Sequence, residues 1–336
     1  MGSETVKTIE DIARLASVSK STVSRALSDS PLINIETRER IQAIAREHDF
    51  CINTPARNLS TRQSNTIAFV THFHQCGYSV EDLFSLEIMG SIGGELAGLG
   101  YDMLVIQAKS HDTTWARQYL NSGRVDGFIV MKTGSKGAHA NILAEASAPF
   151  IIWGVPDPRL NCCSATGDNY HGGLLATEHL IRIGRKKIAF LGGPQYDLEA
   201  DQRYKGYEVA LKSAGMAPER NRQAFGDYTF DSGQTSAKEL LAQSPDFDAI
   251  FVCSDLMAIG AIQVIQESGR RVPEDVAVVG YDDLSIAAYN NLPLTTIRQN
   301  IAMSGRLLAQ NLVQCIKTGV VTHVTIPVEL VVRKSA

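Results

Sequence analysis

Short apolar runs recur through the greater part of the chain: TIAFV (66–70), DMLVIQ (102–107), GFIVM (127–131), PFIIW (149–153), KIAFLGG (187–193), DAIFVC (248–253) and DVAVVGY (275–281). They are continuous rather than alternating, as strands buried on both faces are. Helix-period segments separate or follow them at 84–99, 170–183, 203–214, 232–242, 255–268 and 300–317. Buried strands alternating with helices predict parallel sheets covered on both sides. About four strands precede residue 160 and four follow it, which predicts two similar lobes rather than one sheet. Ligands of such sheets bind beyond the carboxyl ends of the strands, so the residues just after each run are the site candidates.

The first sixty-five residues follow a different pattern. Thr8 precedes Ile9, Glu10 and Asp11, a hydroxyl cap followed by carboxylates, and Ile12, Ala13, Leu15 and Ala16 give a short helix an apolar face. The chain breaks at Ser17-Val18-Ser19. Ser19 can cap a second helix through Thr22, Val23, Ala26 and Leu27, ended by Asp29-Ser30-Pro31. A third helix, capped near Asn34, turns Ile35, Ile41, Ile44 and Ala45 inward. Two short helices with a tight turn, the second carrying Lys20, Ser21, Thr22, Ser24 and Arg25, form the helix-turn-helix pattern. An ordinary three-helix surface fits these residues about equally well.

Charge adds little to that choice until it is divided. Residues 1–65 hold nine basic and eight acidic side chains, while the whole chain of 336 residues carries a formal charge of −4. Residues 12–28 nevertheless carry Arg14, Lys20 and Arg25 and no acid, so local placement permits a nucleic-acid face. The longest apolar runs fall far short of the ~20 residues of a membrane span, and polar residues interrupt every apolar stretch of a would-be signal peptide. A cytoplasmic protein is expected.

The six cysteines form no CxxC pair and have no histidines at zinc-finger spacing, so free thiols are expected. His72-Phe73-His74 lacks a third ligand, and no metal or cofactor is expected. GxSxG, HExxH, the P-loop and GxGxxG after the first strand are all absent, and Asp282-Asp283 are adjacent residues that point different ways. The chain does not read as an enzyme.

The segment TIEDIARLASVSKSTVSRALSDSPLINIETRERI resembles the headpiece of the lactose-repressor/galactose-repressor family of bacterial transcription regulators. Phe50, Asn53 and Ala56 to Leu59 resemble its linker, which folds as a hinge helix on operator DNA. Further on, Asp168 to Gly173, Gly192 to Tyr207, Cys253 to Ala261, VVGYDD (278–283) and PLTTIRQ (293–299) resemble its effector domain, in the same order. Two departures stand out: Ser17 where glycine is frequent in the turn, and Ile52 where proline is common, with Pro55 later.

The resemblance implies an α/β protein with a three-helix helix-turn-helix headpiece and a two-lobed, periplasmic-binding-protein-like domain of parallel sheets. The expected boundaries are 1–52 for the headpiece, 53–65 for the hinge and 66–336 for effector binding and dimerisation. Lobe one is expected at about 66–160 and 296–325, lobe two at about 161–293 and 326–336. Lys20, Ser21 and Arg25 are then the base readers, and Thr8, Ser19, Thr22, Ser24 and Thr37 the phosphate contacts. Leu59 is the minor-groove wedge. His72, Phe73 and Trp153 of lobe one and Arg203, Tyr228, Ser254, Asp282 and Gln299 are the expected effector contacts. Bidentate donors, acceptors and aromatic faces suit a sugar. Asp255 and Asp168 read as helix caps. The implied function is a homodimeric regulator of pseudo-palindromic operators, a repressor controlled by a sugar or glycoside. A corepressed regulator responsive to a purine or another metabolite, and a pure sugar-binding protein of periplasmic type, are the alternatives.

Overall fold

The computed structural model describes residues 8–50, 63–72, 83–108, 112–131, 138–156 and 158–336. The chain divides into two compact units, residues 1–64 and 65–336.

The first unit is three helices: α1 (Ile9–Leu15), α2 (Lys20–Leu27) and α3 (Ile35–Glu47). Thr8 and Asp11 form a reciprocal capping box on α1. Ser19 caps α2 through the Thr22 amide, and Asn34 caps α3 through the Glu36 amide. Ser17 sits in the turn with φ 54°, the left-handed conformation for which glycine is the usual residue. Ile12, Ala13, Ala16, Val23, Ala26, Ile41 and Ala45 form the small core. Two residues expected inside are not: Leu15 is 41% and Ile35 63% exposed. Leu15 closes the last turn of α1. Ile35 opens α3 six residues before Ile41, about 240° around the helix from the buried stripe.

The second unit holds two six-stranded sheets. In lobe one, β1 (Thr66–His72), β2 (Asp102–Ala108), β3 (Gly127–Met131), β4 (Phe150–Trp153), β5 (Cys163–Gly167) and β11 (His323–Ile326) run parallel in the order β11-β5-β4-β3-β1-β2. Helices α4 (Leu83–Gly98), α5 (Trp115–Asn121), α6 (Ala138–Glu145) and α12 (Ile301–Thr318) accompany them. In lobe two the order is β12-β10-β9-β8-β6-β7, from β6 (Ile188–Gly192), β7 (Gln223–Phe225), β8 (Ala249–Val252), β9 (Ala277–Asp282), β10 (Thr295–Gln299) and β12 (Val328–Val331). Only β12 runs antiparallel to its neighbour there. Its helices are α7 (Asn169–Arg182), α8 (Leu198–Ser213), α9 (Phe230–Gln243), α10 (Asp255–Glu267) and α11 (Ser285–Tyr289). Strands β3, β4, β6 and β8 are buried along their whole length, as sheets covered on both faces require.

The lobe boundaries depart from the expected ones. β5, at 163–167, belongs to lobe one, whereas β10, at 295–299, completes lobe two. The chain crosses between lobes at Asp168, at Asn300 and at Pro327. Each crossing lies at a strand end, and local hydrophobicity carries no mark of which sheet a strand joins.

Candidate DNA-reading face and effector site

On the first unit, Val23 and Ala26 of α2 face the core, which turns Lys20, Ser21, Ser24 and Arg25 outward to solvent. The helix N-terminus is crowded with hydroxyls: Ser19 Oγ lies 2.8 Å from both Ser21 Oγ and Thr22 Oγ1. Lys20 Nζ pairs with Glu10 of α1, whose carboxyl is held below its ordinary value chiefly by that hydrogen bond. Thr8, expected at phosphate, spends its hydroxyl on Asp11, and Thr37 is half-buried in α3. Leu59 lies outside the described residues.

In the second unit, the DNxxGG string builds a seat for one arginine. Asp168 caps α7 through the His171 amide, and Asn169 is buried behind it. Arg203 of α8 is 6% exposed; its Nε donates to Asn169 Oδ1 at 2.8 Å and its Nη1 to the Cys253 carbonyl at 2.5 Å. Its guanidinium lies 3.7 Å from the centroid of the Tyr281 ring, a desolvated cation–π contact. The glycines make this approach possible. A Cβ on Gly172 would fall 2.4 Å from Tyr281 Oη, and one on Gly173 2.1 Å from the Arg203 carbonyl. Among the described residues the guanidinium's hydrogen bonds come from Nε and Nη1, and Nη2 makes none.

Burial disfavours the Arg203 charge, yet Tyr281, Tyr228 and Asp282 around it hold its pKa above the ordinary value. Burial also pushes the Cys253 thiol up to about 12, so it stays protonated. Asp282, at the end of β9, accepts from Gln299 Nε2 at 2.8 Å, and its φ of 118° is rare for a residue other than glycine. Tyr228, at φ 72°, donates to Asp197 Oδ1 at 3.0 Å, the same oxygen that caps α8 through the Ala200 amide.

Among the described residues, two hydrogen bonds join the lobes beyond the strand ends. The Val155 amide, after β4, donates to Glu199 Oε1 at 2.7 Å, and the Ser285 amide, after β9, donates to Glu87 Oε1 of α4 at 3.0 Å. The carboxyl ends of the two sheets therefore face each other, with the Arg203 seat on the lobe-two side.

The structure thus gathers Arg203, Tyr228, Asp282 and Gln299 at the ends of the lobe-two strands. Ser254 joins them but caps α10, its Oγ accepting from the Met257 amide at 3.3 Å. The sequence pattern puts that cap at Asp255. Asp255 instead lies inside the first turn, wholly buried, and accepts from the Leu284 amide and the Thr296 hydroxyl. Trp153 is 8% exposed and belongs to the lobe-one core, its ring 5.6 Å from that of Phe84. For His72 only the backbone, at the end of β1, is described; Phe73 lies outside the described residues. Sequence reasoning missed Asn169, Tyr281, Glu87 and Glu199. The first two stand inside the DNxxGG and GYDD strings, which signalled them; the glutamates carry no local signal. Among the described residues no group of three or more His, Cys, Asp or Glu is placed to hold a metal ion.

Fold and site together define a ligand-responsive, DNA-binding transcriptional regulator. Residues 8–53 match the bacterial regulatory proteins of the lacI family, and residues 177–336 match the periplasmic binding protein-like domain. The chain belongs to the LacI family. It is 36% identical over 331 residues to the HTH-type transcriptional regulator CelR of Thermobifida fusca, covering 96% of this chain and 95% of that one. It is 33% identical to the ribose operon repressor of Haemophilus influenzae, covering 92% of each chain. Among solved structures, the lac repressor dimer bound to operator and the anti-inducer ONPF superposes with a TM-score of 0.81 at 29% identity, covering 98% of each chain. A CelR–cellobiose complex gives 0.74 at 32% identity, covering 98% of this chain and 100% of that one.

Proposed function

We propose that the protein is a cytoplasmic, homodimeric repressor of pseudo-palindromic operators, released or recruited by a neutral sugar or glycoside bound between its lobes, and that it is not an enzyme. The observation that carries the effector class is the buried Arg203, which has one guanidinium nitrogen to offer beside the Asp282 carboxylate and the Tyr228 ring. A donor, an acceptor and an aromatic face match sugar hydroxyls and C–H faces. The further carboxylates of Asp168, Asp197 and Glu199 nearby disfavour a phosphorylated ligand. The matched cellobiose complex supports the same class.

In this reading Lys20, Ser21 and Arg25 read bases, while Thr8, Ser19, Thr22, Ser24 and Thr37 meet phosphates and Leu59 wedges the minor groove. His72, Phe73, Trp153, Arg203, Tyr228, Ser254, Asp282 and Gln299 contact the effector. The dimer is supported by the matched lac repressor dimer and by α4 and the edge strand β2, which leave Leu86 and Val105 about half exposed. Open space beside Gly90, Gly94 and Gly98 lets a second helix approach that face. A ligand touching both lobes favours the closed arrangement and shifts operator affinity only by its preference between arrangements. Tenfold needs about 1.4 kcal/mol.

A thermal-shift screen of mono- and disaccharides against purines, followed by operator retardation with each hit, tests the proposal. Stabilisation by purines alone would replace the sugar with a purine corepressor. Failure to retard any genomic fragment would overturn the regulator's proposed operator binding.

A further inference from the structure

Asp255 is the buried carboxyl that the effector site does not use. It is 0% exposed, and its two oxygens reach two different elements: Oδ2 accepts from the Leu284 amide at 2.8 Å, and Oδ1 accepts from Thr296 Oγ1 of β10 at 2.5 Å. Room for it is made at Gly280, where a Cβ would fall 2.6 Å from Oδ1. Above it runs the turn that ends β9. Asp282 and Asp283 are consecutive non-glycine residues at φ 118° and 57°, a backbone that persists only where its surroundings over-determine it. Three successive residues are tied down separately. Asp282 is held by Gln299. Asp283 is held by Arg298 Nε at 2.6 Å and Arg333 Nη2 at 2.5 Å, and the Leu284 amide is held by Asp255.

We infer that Asp255 is a positioning residue for Asp282: from α10 it clamps the 282–284 turn against β10 in the backbone that presents Asp282 to the effector. The inference rests on the reading above that Asp282 contacts the ligand. Ser254 already caps α10, so Asp255 is not needed there. Its burial and the neighbouring Asp282 charge push its pKa upward from the ordinary carboxylate value, and the neutral form keeps both contacts, Oδ2 accepting from the Leu284 amide and a proton on Oδ1 donated to the Thr296 hydroxyl. An asparagine can do the same: Oδ1 accepts from the Leu284 amide while Nδ2 donates to the Thr296 hydroxyl, which turns to accept.

The experiment compares full-length wild type with Asp255→Asn, Asp255→Ala and Thr296→Val. Cellobiose is titrated by calorimetry within a panel of mono- and disaccharides, and an operator duplex selected by the wild type is titrated by anisotropy. Asp255→Asn should bind sugar within twofold of wild type and Asp255→Ala at least tenfold more weakly, with Thr296→Val between them. Operator affinity should be the same in all four. Wild-type sugar affinity in Asp255→Ala overturns the inference, and so does an Asp255→Asn as weak as the alanine variant, which would mean that the charge itself is used. If the wild type binds no sugar in the panel, the sugar assignment falls, and ligand-free crystal structures decide on Asp255. Removing its side chain, or the Thr296 hydroxyl where the alanine variant does not fold, should release Asp282 and Asp283 from their positive-φ backbone. An unchanged turn overturns the inference.

Discussion

Replacing Arg203 by lysine keeps a positive charge in the effector site but removes the planar fork. The guanidinium serves Asn169 at 2.8 Å and the Cys253 carbonyl at 2.5 Å and still has Nη2 for a ligand. A lysine ammonium is a point donor on a flexible stem, and seated between those acceptors it has no second arm for the effector. A hydrogen bond to a charged group contributes about 1.5–3 kcal/mol, so effector affinity should fall roughly ten- to 150-fold. The loss of the stack on Tyr281, of order 2 kcal/mol for a desolvated pair, is felt in stability. At about 2–4 °C per kcal/mol for a unit of this size, Tm should drop by several degrees. The assay is anisotropy of a labelled operator with increasing sugar: the operator Kd should stay within twofold of wild type while the sugar midpoint moves up by tenfold or more. A lysine variant with an unmoved midpoint would refute the placement of Arg203 at the ligand.

Arg25→Ala should cost about 1–3 kcal/mol of operator affinity and relax one base position in a binding-site selection, whereas Ser24→Ala should weaken all sequences alike. Glu10→Gln should raise operator affinity a few-fold at low salt, because it frees Lys20 and removes a charge that repels phosphate; unchanged affinity would separate Lys20 from DNA. Gly173→Ala should destabilise the second unit by more than about 1 kcal/mol in urea unfolding, since its methyl meets the Arg203 carbonyl at 2.1 Å and forces α7 from α8. Asp246, held down to about 2 chiefly by its hydrogen bond from Lys187, stabilises the fold above the ordinary carboxylate value of 3.8 and loses that contribution as pH falls through about 2. The Tm gap between wild type and Asp246→Asn should therefore be full at pH 6 and close between about pH 4 and pH 2.

Each strand expected from an apolar run was found, because a strand covered on both faces must be apolar throughout; β2 alone of these is an edge strand with one face partly open. The five strands that were not expected are short or polar. β5 reads Cys-Ser-Ala-Thr-Gly and is buried all the same, since the Ser164 hydroxyl has His323 Nδ1 at 2.9 Å from the neighbouring strand. That pairing joins residues far apart in the chain, and without it nothing local distinguishes 163–167 from a loop. The same limit explains the misplaced lobe boundaries. Helices α5, α6 and α11, of five to eight residues, are too short to show a period. In the site, Arg203 and Asp282 were legible through family-like strings. Glu199 and Glu87 were not, because each meets an amide 44 or 198 residues away. Asp255 was misread because Ser254 and Asp255 are both good caps in sequence, and only the fold shows which one takes that place.

The late arrival of β11 matters during synthesis. Lobe one needs residues 323–326 to pair with β5, 159 residues away at the Ser164–His323 contact, and needs Leu308, Ala309 and Leu312 of α12 to cover Ile129, Ile151 and Trp153. Strands β6 to β10 of lobe two all emerge in between. A ribosome adding about 5–20 residues per second leaves β5 an open edge, and one face of lobe one bare, for roughly 10–30 s. Lobe two can close its β6–β10 core in that interval, whereas lobe one waits with an apolar face and an unpaired edge, the state from which chains aggregate. Substitutions on the buried side of α12 should accordingly act first on the yield of soluble protein in the cell, and chaperone supply should matter most for that half of the molecule.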